Sequence, residues 1–412
     1  MSDERTFVIV GASLAGAKAA ETLRSKGFSG RIVLIGDDHE RPYERPPLSK
    51  EYLTGKKPKE KAYVHAESFY AEQNIDLRLG VRVTAIDRGA HDVELDGGER
   101  VHYDKLLLTT GSSVNELKVP GADLDGVYYL RTMDDSTALK AALSTAGARV
   151  VIVGGGWIGL EVASAARGYG NEVVLIEPQP VPLFGVLGQE LGEFYAQLHR
   201  DHGVDVRLSV GVTSLIGGAG RVTAVALNNG TQVAADVVVI GVGIRPNVSL
   251  AADSGLLVDD GIIVDEYLQT TDPDIYAAGD VANAHNPHLG RQIRVQHWAN
   301  AQDQGVAVAA SMLGVGTPFT KVPYFFSDQY DIGMEYSGLA QPGDYDELVY
   351  RGSRESREFC AFWLSSGTVI AGMNVNVWDV HSDIRALIKS GAPVDVAKLT
   401  DPAVPIADAP TR

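Results

Sequence analysis

Hydrophobic positions in this chain gather into short apolar runs that stop at a glycine or an acid, with helix-forming stretches between them. The first run, Phe7-Val8-Ile9-Val10, enters Gly11-Ala12-Ser13-Leu14-Ala15-Gly16, and Ala17 to Leu23 continue as good helix formers. This pattern predicts a strand, a tight turn and a helix. A second strand is predicted over Arg31–Gly36, ending at Asp37, which follows Gly16 by about 21 residues. The design returns at Arg149-Val150-Val151-Ile152-Val153, which enters Gly154-Gly155-Gly156-Trp157-Ile158-Gly159. Its second strand, Glu172 to Ile176, ends at Glu177, about 18 residues past Gly159.

Between and beyond these units the pattern is more varied. Two adjacent prolines, Pro46 and Pro47, deny a helix at that point, so Arg41 to Lys50 is expected to be a rigid extended connection with a helix possible from Ser49 onward. Ile75 to Ile86 reads as strand, Val93 to Val101 as a hairpin around Gly97-Gly98, and Lys105 to Leu108 as an apolar strand ending in a small-residue turn. Val233 to Asn247 is a buried strand with a glycine-proline exit. Thr270 to Ala282 is a short strand that delivers Asp280 to a turn, with a helix expected after it. From Phe319 the chain becomes rich in aromatics, expected as core. Alternation at Phe359–Leu364 and Val369–Val377 predicts antiparallel strands, and Ser382–Ser390 a closing helix. The proline-punctuated tail from Thr400 is expected to be disordered.

A length of 412 residues implies two or three domains, and 45% hydrophobic with 22% charged residues is ordinary for a globular protein. No apolar run approaches a membrane span and the N-terminus opens acidic, so a cytoplasmic protein is expected. A net charge of −17 argues against nucleic acid or an anionic membrane as the main partner. The single cysteine, Cys360, excludes an internal disulfide and any dithiol relay, and reads as a small buried apolar residue.

The two glycine turns carry the chemistry. In the first, Gly11 permits the sharp turn, Gly16 permits close helix–strand packing, and free N–H groups at the helix start suit a pyrophosphate. Ser13 stands where the dinucleotide fingerprint has its middle glycine, and Asp37 is placed to hold a ribose hydroxyl. The second turn has all its glycines, at 154, 156 and 159, with Ile158 beside the last. Glu177 would accept both adenosine ribose hydroxyls and repel a 2′-phosphate, and Pro178 to Pro182 contain no arginine to receive one. NADH is therefore favoured over NADPH. One chain thus carries two dinucleotide sites. On the residues alone, Lys50 reads equally as a solvated or a functional cation, and Asp280 as a structural turn aspartate or a ligand-facing acid.

Arg45-Pro46-Pro47-Leu48-Ser49-Lys50, Gly243-Ile244-Arg245-Pro246-Asn247, Ala278-Gly279-Asp280 and Ser327-Asp328-Gln329-Tyr330-Asp331, together with the two turns, resemble the two-dinucleotide-binding flavoproteins. Within that family the chain resembles the NADH:ferredoxin reductases of bacterial oxygenase and cytochrome P450 systems, essentially over its whole length. The resemblance implies an α/β fold of two Rossmann-like, glutathione-reductase-like domains and a smaller α+β C-terminal domain. The FAD domain would take 1–113 and 237–318, the NADH domain 114–236 and the C-terminal domain 319–412. It implies FAD on the first turn, NADH on the second, and a [2Fe-2S] ferredoxin as partner, with monomer and weak dimer both open. Contacts to FAD carry over to Ala15, Asp37, Lys50, Val83, Arg131, Asp280 and Trp298, and cofactor binding extends to Arg45 and Gly243. The family also pairs the lysine at Lys50 with the glutamate at Glu161 near the flavin.

The chain departs from the family pattern at Ser13, in the lack of an arginine over Thr109–Asn115, at Tyr324-Phe325-Phe326 where relatives often have tryptophan, and at Gln296-His297 before Trp298. These departures bear on the flavin edge and the partner surface. Relatives that reduce disulfides or peroxide need cysteine in the N-terminal half, and this chain has none there. Reductases of rubredoxin or monodehydroascorbate stay open as alternatives, as do apoptosis-inducing-factor-like, NADH-switched binding flavoproteins. The last group typically carries extra basic surface or long insertions, which are absent here.

Overall fold

The structure, a computed structural model, describes residues 3–411. Its contacts divide the chain into two units. The first comprises the residues up to Arg45, Lys59–Ser113 and Ile244–Lys321; the second comprises Pro46–Pro58, Val114–Gly243 and everything from Val322.

In the first unit, five parallel strands lie in the order Ile275–Ala277, Lys105–Leu108, Thr6–Val10, Arg31–Gly36, Ile75–Leu79. Phe7 to Val10 and Ile32 to Ile35 are unbroken apolar runs because both faces are covered, with Phe7, Val8, Ile9 and Ile32 to Leu34 fully buried, whereas the edge strand Ile75–Leu79 carries Asp76 and Arg78. The helix Leu14–Ser25 packs against Trp298–Met312. Strand order reverses about Thr6–Val10, which has Arg31–Gly36 on one side and Lys105–Leu108 on the other. The carboxyl end of that strand is therefore the switch point where such sheets open a ligand crevice.

The second unit repeats the arrangement with Val204–Leu208, Glu172–Glu177, Arg149–Val153, Val237–Ile240 and Val127–Tyr128, again parallel. It also holds a five-stranded antiparallel sheet, ordered Tyr324–Gln329, Ile332–Gly338, Thr368–Val375, Glu358–Ser365, Glu347–Ser353. The strand Glu358–Ser365 is apolar on both faces. Phe359, Ala361 and Trp363 join the core that contains Val150, Ile152 and Leu160. Cys360, Phe362 and Leu364 pack with Ile384, Leu387 and Ile388 of the helix His381–Ser390. Period-two alternation thus serves two cores at once.

Several expectations are corrected. No α-helix starts at Ser49: Pro46–Leu48 is a short 3-10 helix, and isolated turns follow as far as Gly55, whose φ of +74° breaks any continuation. The Pro47 carbonyl accepts from both Lys50 and Tyr52 while Thr54 donates to Lys50, so the spacings are mixed and no regular i to i−4 ladder forms. After Asp280 the chain forms the strand Ala282–Asn286 rather than a helix, because Ala282 to Ala284 pair in parallel with Ile262 to Val264. As far as Thr411 the tail is ordered: Val396–Thr400 is helical, Val394 bridges Pro410, and Ile406 and Ala409 are buried, while Arg412 lies outside the described residues. Its few apolar side chains land on the second core of the antiparallel sheet, which no local pattern reveals. The changes of unit fall after Arg45, Pro58, Ser113, Gly243 and Lys321.

Candidate functional site

At the first turn, Gly11 has φ +116° and donates its N–H to the Ile35 carbonyl at 2.7 Å. A Cβ there would run into the Thr109 carbonyl oxygen, and one on Gly16 into the Gly11 carbonyl oxygen, so both positions need glycine. Ser13 is the N-cap residue and its hydroxyl makes no capping bond. The first intrahelical donor is the Ala17 N–H, to Ser13, which leaves the N–H groups of Leu14, Ala15 and Gly16 without helical partners, as anion sites require. Gly279, at φ +81°, lies against Ala15 and donates to the buried Gln304 amide oxygen at 2.8 Å. That contact brings the Asp280 turn to the start of the first helix. Trp298 opens the helix whose Gly305 meets the Ala15 backbone. Gly11, Ser13, Ala15, Gly16 and Asp280 thus converge, and the cradle fits a dinucleotide pyrophosphate.

Asp37 is exposed and accepts from Arg82 at 3.1 Å, next to Val83 at the start of a strand. Arg45 approaches the Tyr43 ring, at 5.7 Å from its centroid. Arg131 and Gly243 are carried by the second unit, where the Arg131 N–H donates to Asp135 and the Asn115 N–H donates to the Gly243 carbonyl at 2.9 Å.

The second turn is the closer match to the fingerprint. A Cβ on Gly154 would strike the Gly241 carbonyl and one on Gly159 the Gly154 carbonyl, whereas Gly156 has no atom within 4 Å of a built Cβ. The middle position is open, which is the space a pyrophosphate needs. Glu177 is buried, and each carboxylate oxygen already accepts a backbone N–H, from Gly155 at 2.6 Å and Gln179 at 2.8 Å. A carboxylate has about four acceptor positions, so each oxygen can still accept a ribose hydroxyl. Ile158 is 44% exposed on the first helical turn, and the exposed Val242 adjoins Gly241. Val242 is an apolar neighbour that sequence reasoning did not single out.

A polar cluster of the second unit is buried around Glu161. Lys50 Nζ lies 2.8 Å from Glu161 Oε1, with side chains 11% and 3% exposed. Ser327 Oγ donates to the same oxygen at 2.7 Å, and Ser49 Oγ to Oε2 at 2.5 Å. The Phe326 ring centroid is 5.2 Å from Nζ, a cation–π distance. Burial raises the neighbouring Asp328 carboxyl, against the opposing pull of Lys50. Ser49 and Ser327 lie in the two motif segments, but nothing local signals that their hydroxyls meet one carboxylate. The thiol of Cys360 is buried and pushed up to about 11 by desolvation, so it is inert. Among the described residues no cluster of side chains could hold a metal, and no helix is long and apolar enough to cross a membrane.

Comparison with known proteins matches residues 5–305 to the pyridine nucleotide-disulphide oxidoreductase model and 324–409 to the reductase C-terminal model. The chain is 38% identical to rhodocoxin reductase of Rhodococcus erythropolis over 396 residues, covering 96% of this chain and 92% of that one. It is 40% identical to the ferredoxin–NAD(+) reductase component of the Burkholderia cepacia anthranilate 1,2-dioxygenase system over 402 residues, covering 97% of each. The crystal structure of the covalent putidaredoxin reductase–putidaredoxin complex superposes with a TM-score of 0.94 at 38% identity, covering 98% of this chain and 97% of that one.

Proposed function

The chain belongs to the pyridine nucleotide-disulphide oxidoreductase family, and from that premise we propose that it is an FAD-bearing NADH:ferredoxin reductase serving an oxygenase or cytochrome P450. The observation that carries this reading is the buried Lys50–Glu161 pair in a chain with two dinucleotide turns and no cysteine in its N-terminal half. The disulfide chemistry of the family name has no dithiol here, so electrons must leave to an external acceptor. FAD, when bound, accepts hydride from NADH and releases electrons singly, the conversion an iron–sulfur partner requires.

The chain's own residues bind, orient and set charge. The N–H groups after Ser13 and the open space at Gly156 receive the two pyrophosphates. Glu177 accepts the NADH ribose hydroxyls, and its charge opposes a 2′-phosphate. The Lys50 ammonium is fixed in place by Glu161, and a positive group favours reduction wherever negative charge develops beside it. Ser49 and Ser327 hold Glu161 so that the pair keeps one geometry. The protein acts in the cytoplasm, with a [2Fe-2S] ferredoxin as its partner.

The test is NADH oxidation by the FAD-loaded protein with cytochrome c as final acceptor, with and without a [2Fe-2S] ferredoxin, and with rubredoxin as a second carrier. A large increase with ferredoxin supports the reading. An increase with rubredoxin alone moves the activity to that acceptor, and no increase with either, together with slow reduction by NADH, moves it to an NADH-switched binding protein.

A further inference from the structure

The Lys50–Glu161 pair ends a longer buried run of polar side chains, of which the reductase reading uses Ser327 but not Gln329, His199 or Tyr330. Ser327 Oγ, which donates to Glu161, accepts from Gln329 Nε2 at 3.2 Å. The Gln329 amide oxygen lies 2.9 Å from His199 Nε2, and His199 Nδ1 lies 3.1 Å from the Tyr330 hydroxyl. An amide oxygen only accepts, so His199 Nε2 carries the proton. The imidazole is fully buried and desolvation pushes it down to about 4, with His202 adding a repulsive charge, so the ring is neutral and Nδ1 is an acceptor. Tyr330 must then donate. Every proton in the run points the same way, from Tyr330 through His199, Gln329 and Ser327 to Glu161.

The far end is anchored in a strained turn. Tyr330 has φ +55°, uncommon for a bulky residue, and sits between the strands Tyr324–Gln329 and Ile332–Gly338. Its N–H donates to Ser164 Oγ at 3.0 Å, and its ring stacks on His202 at 3.8 Å. These contacts hold the conformation that places its hydroxyl on His199.

We propose that His199, Gln329 and Ser327 are positioning residues for the Lys50–Glu161 pair, a one-directional donor chain that holds the Glu161 carboxylate in a single orientation. Aligned hydrogen bonds polarise one another, and a fully satisfied buried chain specifies one arrangement where a broken one would leave several. The proposal rests on the reductase reading for its kinetic consequence, though not for the geometry.

The experiment uses Gln329→Met, near-isosteric but unable to pass on either bond, and Ser327→Ala, which removes the hydroxyl that accepts from Gln329 and donates to Glu161 and reports on the chain even if Gln329→Met fails to fold. Each is made in the FAD-loaded protein alone and in a Glu161→Gln background. Each single variant should lower kcat about five- to tenfold, the size of one buried hydrogen bond, with KM for NADH unchanged. In the Glu161→Gln background it should cost nothing further. An equal loss in both backgrounds overturns the proposal. Independently of turnover, the infrared carboxylate band that Glu161→Gln removes should shift in Gln329→Met, and an unmoved band overturns it. Should Glu161→Gln leave the reduction rate unchanged while that band shifts, the positioning chain stands and the role of the pair in reduction falls.

Discussion

Replacing Lys50 with methionine removes the ammonium, which lies 5.2 Å from the Phe326 ring centroid, and keeps an unbranched side chain of similar length. At the observed 2.8 Å and an effective dielectric of about 20, two unit charges attract by about 6 kcal/mol. Desolvating a lysine 11% exposed and a glutamate 3% exposed takes back several kcal/mol of that. The carboxylate left behind in Lys50→Met still accepts from Ser49 and Ser327, which softens the penalty for an unpaired buried charge. The net coupling between the two residues should therefore be about 2–3 kcal/mol. It is measured by denaturant unfolding of the native protein, Lys50→Met, Glu161→Gln and the double variant. A coupling under about 0.5 kcal/mol would place the pair with solvent-screened surface ion pairs and refute the burial argument. In the same Lys50→Met protein, FAD content by absorbance should be unchanged, while stopped-flow reduction by NADH slows at least about tenfold. An undiminished rate removes Lys50 from the reaction.

The buried His199 makes stability depend on pH. Its imidazole titrates near 4 when folded and near 6.5 when unfolded, so below the upper value the unfolded chain binds the extra proton and stability falls, by up to about 3 kcal/mol on reaching the lower one. Unfolding midpoints between these values should therefore be flatter in His199→Phe than in the native protein; identical slopes would contradict the assignment. Gly154→Ala should destabilise the fold, since its Cβ meets the Gly241 carbonyl at a φ of +106°. Gly156→Ala should unfold normally yet raise KM for NADH about tenfold by filling the open cradle, and an unchanged KM would locate the pyrophosphate elsewhere. Ile406→Ala should lower stability by about 2–4 kcal/mol, read from chemical unfolding, whereas a truly loose tail would show no change.

Much of the architecture is written locally. A strand covered on both faces must be apolar at every position, so Phe7–Val10 and Val150–Val153 announce central parallel strands without knowledge of their neighbours. The turns at Gly11 and Gly154 are equally legible, because only glycine tolerates a carbonyl oxygen where a Cβ would stand. The cysteine count alone excludes a dithiol relay. Long-range packing decided the rest. Strand pairing with Ile262–Val264 overrode the helix expected after Asp280, and the apolar face of the last sheet ordered a proline-rich tail. Glu177 is recognisable as a strand-end acid, but its two backbone donors appear only once the Gly155 turn folds over it. Ser49, Ser327 and His199 carry no signal of their own. Their partners lie 112, 166 and 130 residues away in the chain, and a hydroxyl or imidazole has no periodicity that betrays which buried carboxylate or amide it will meet. Hydrophobic patterning reports what each segment must bury, while the identity of a polar partner is settled only by which segments the finished core brings together.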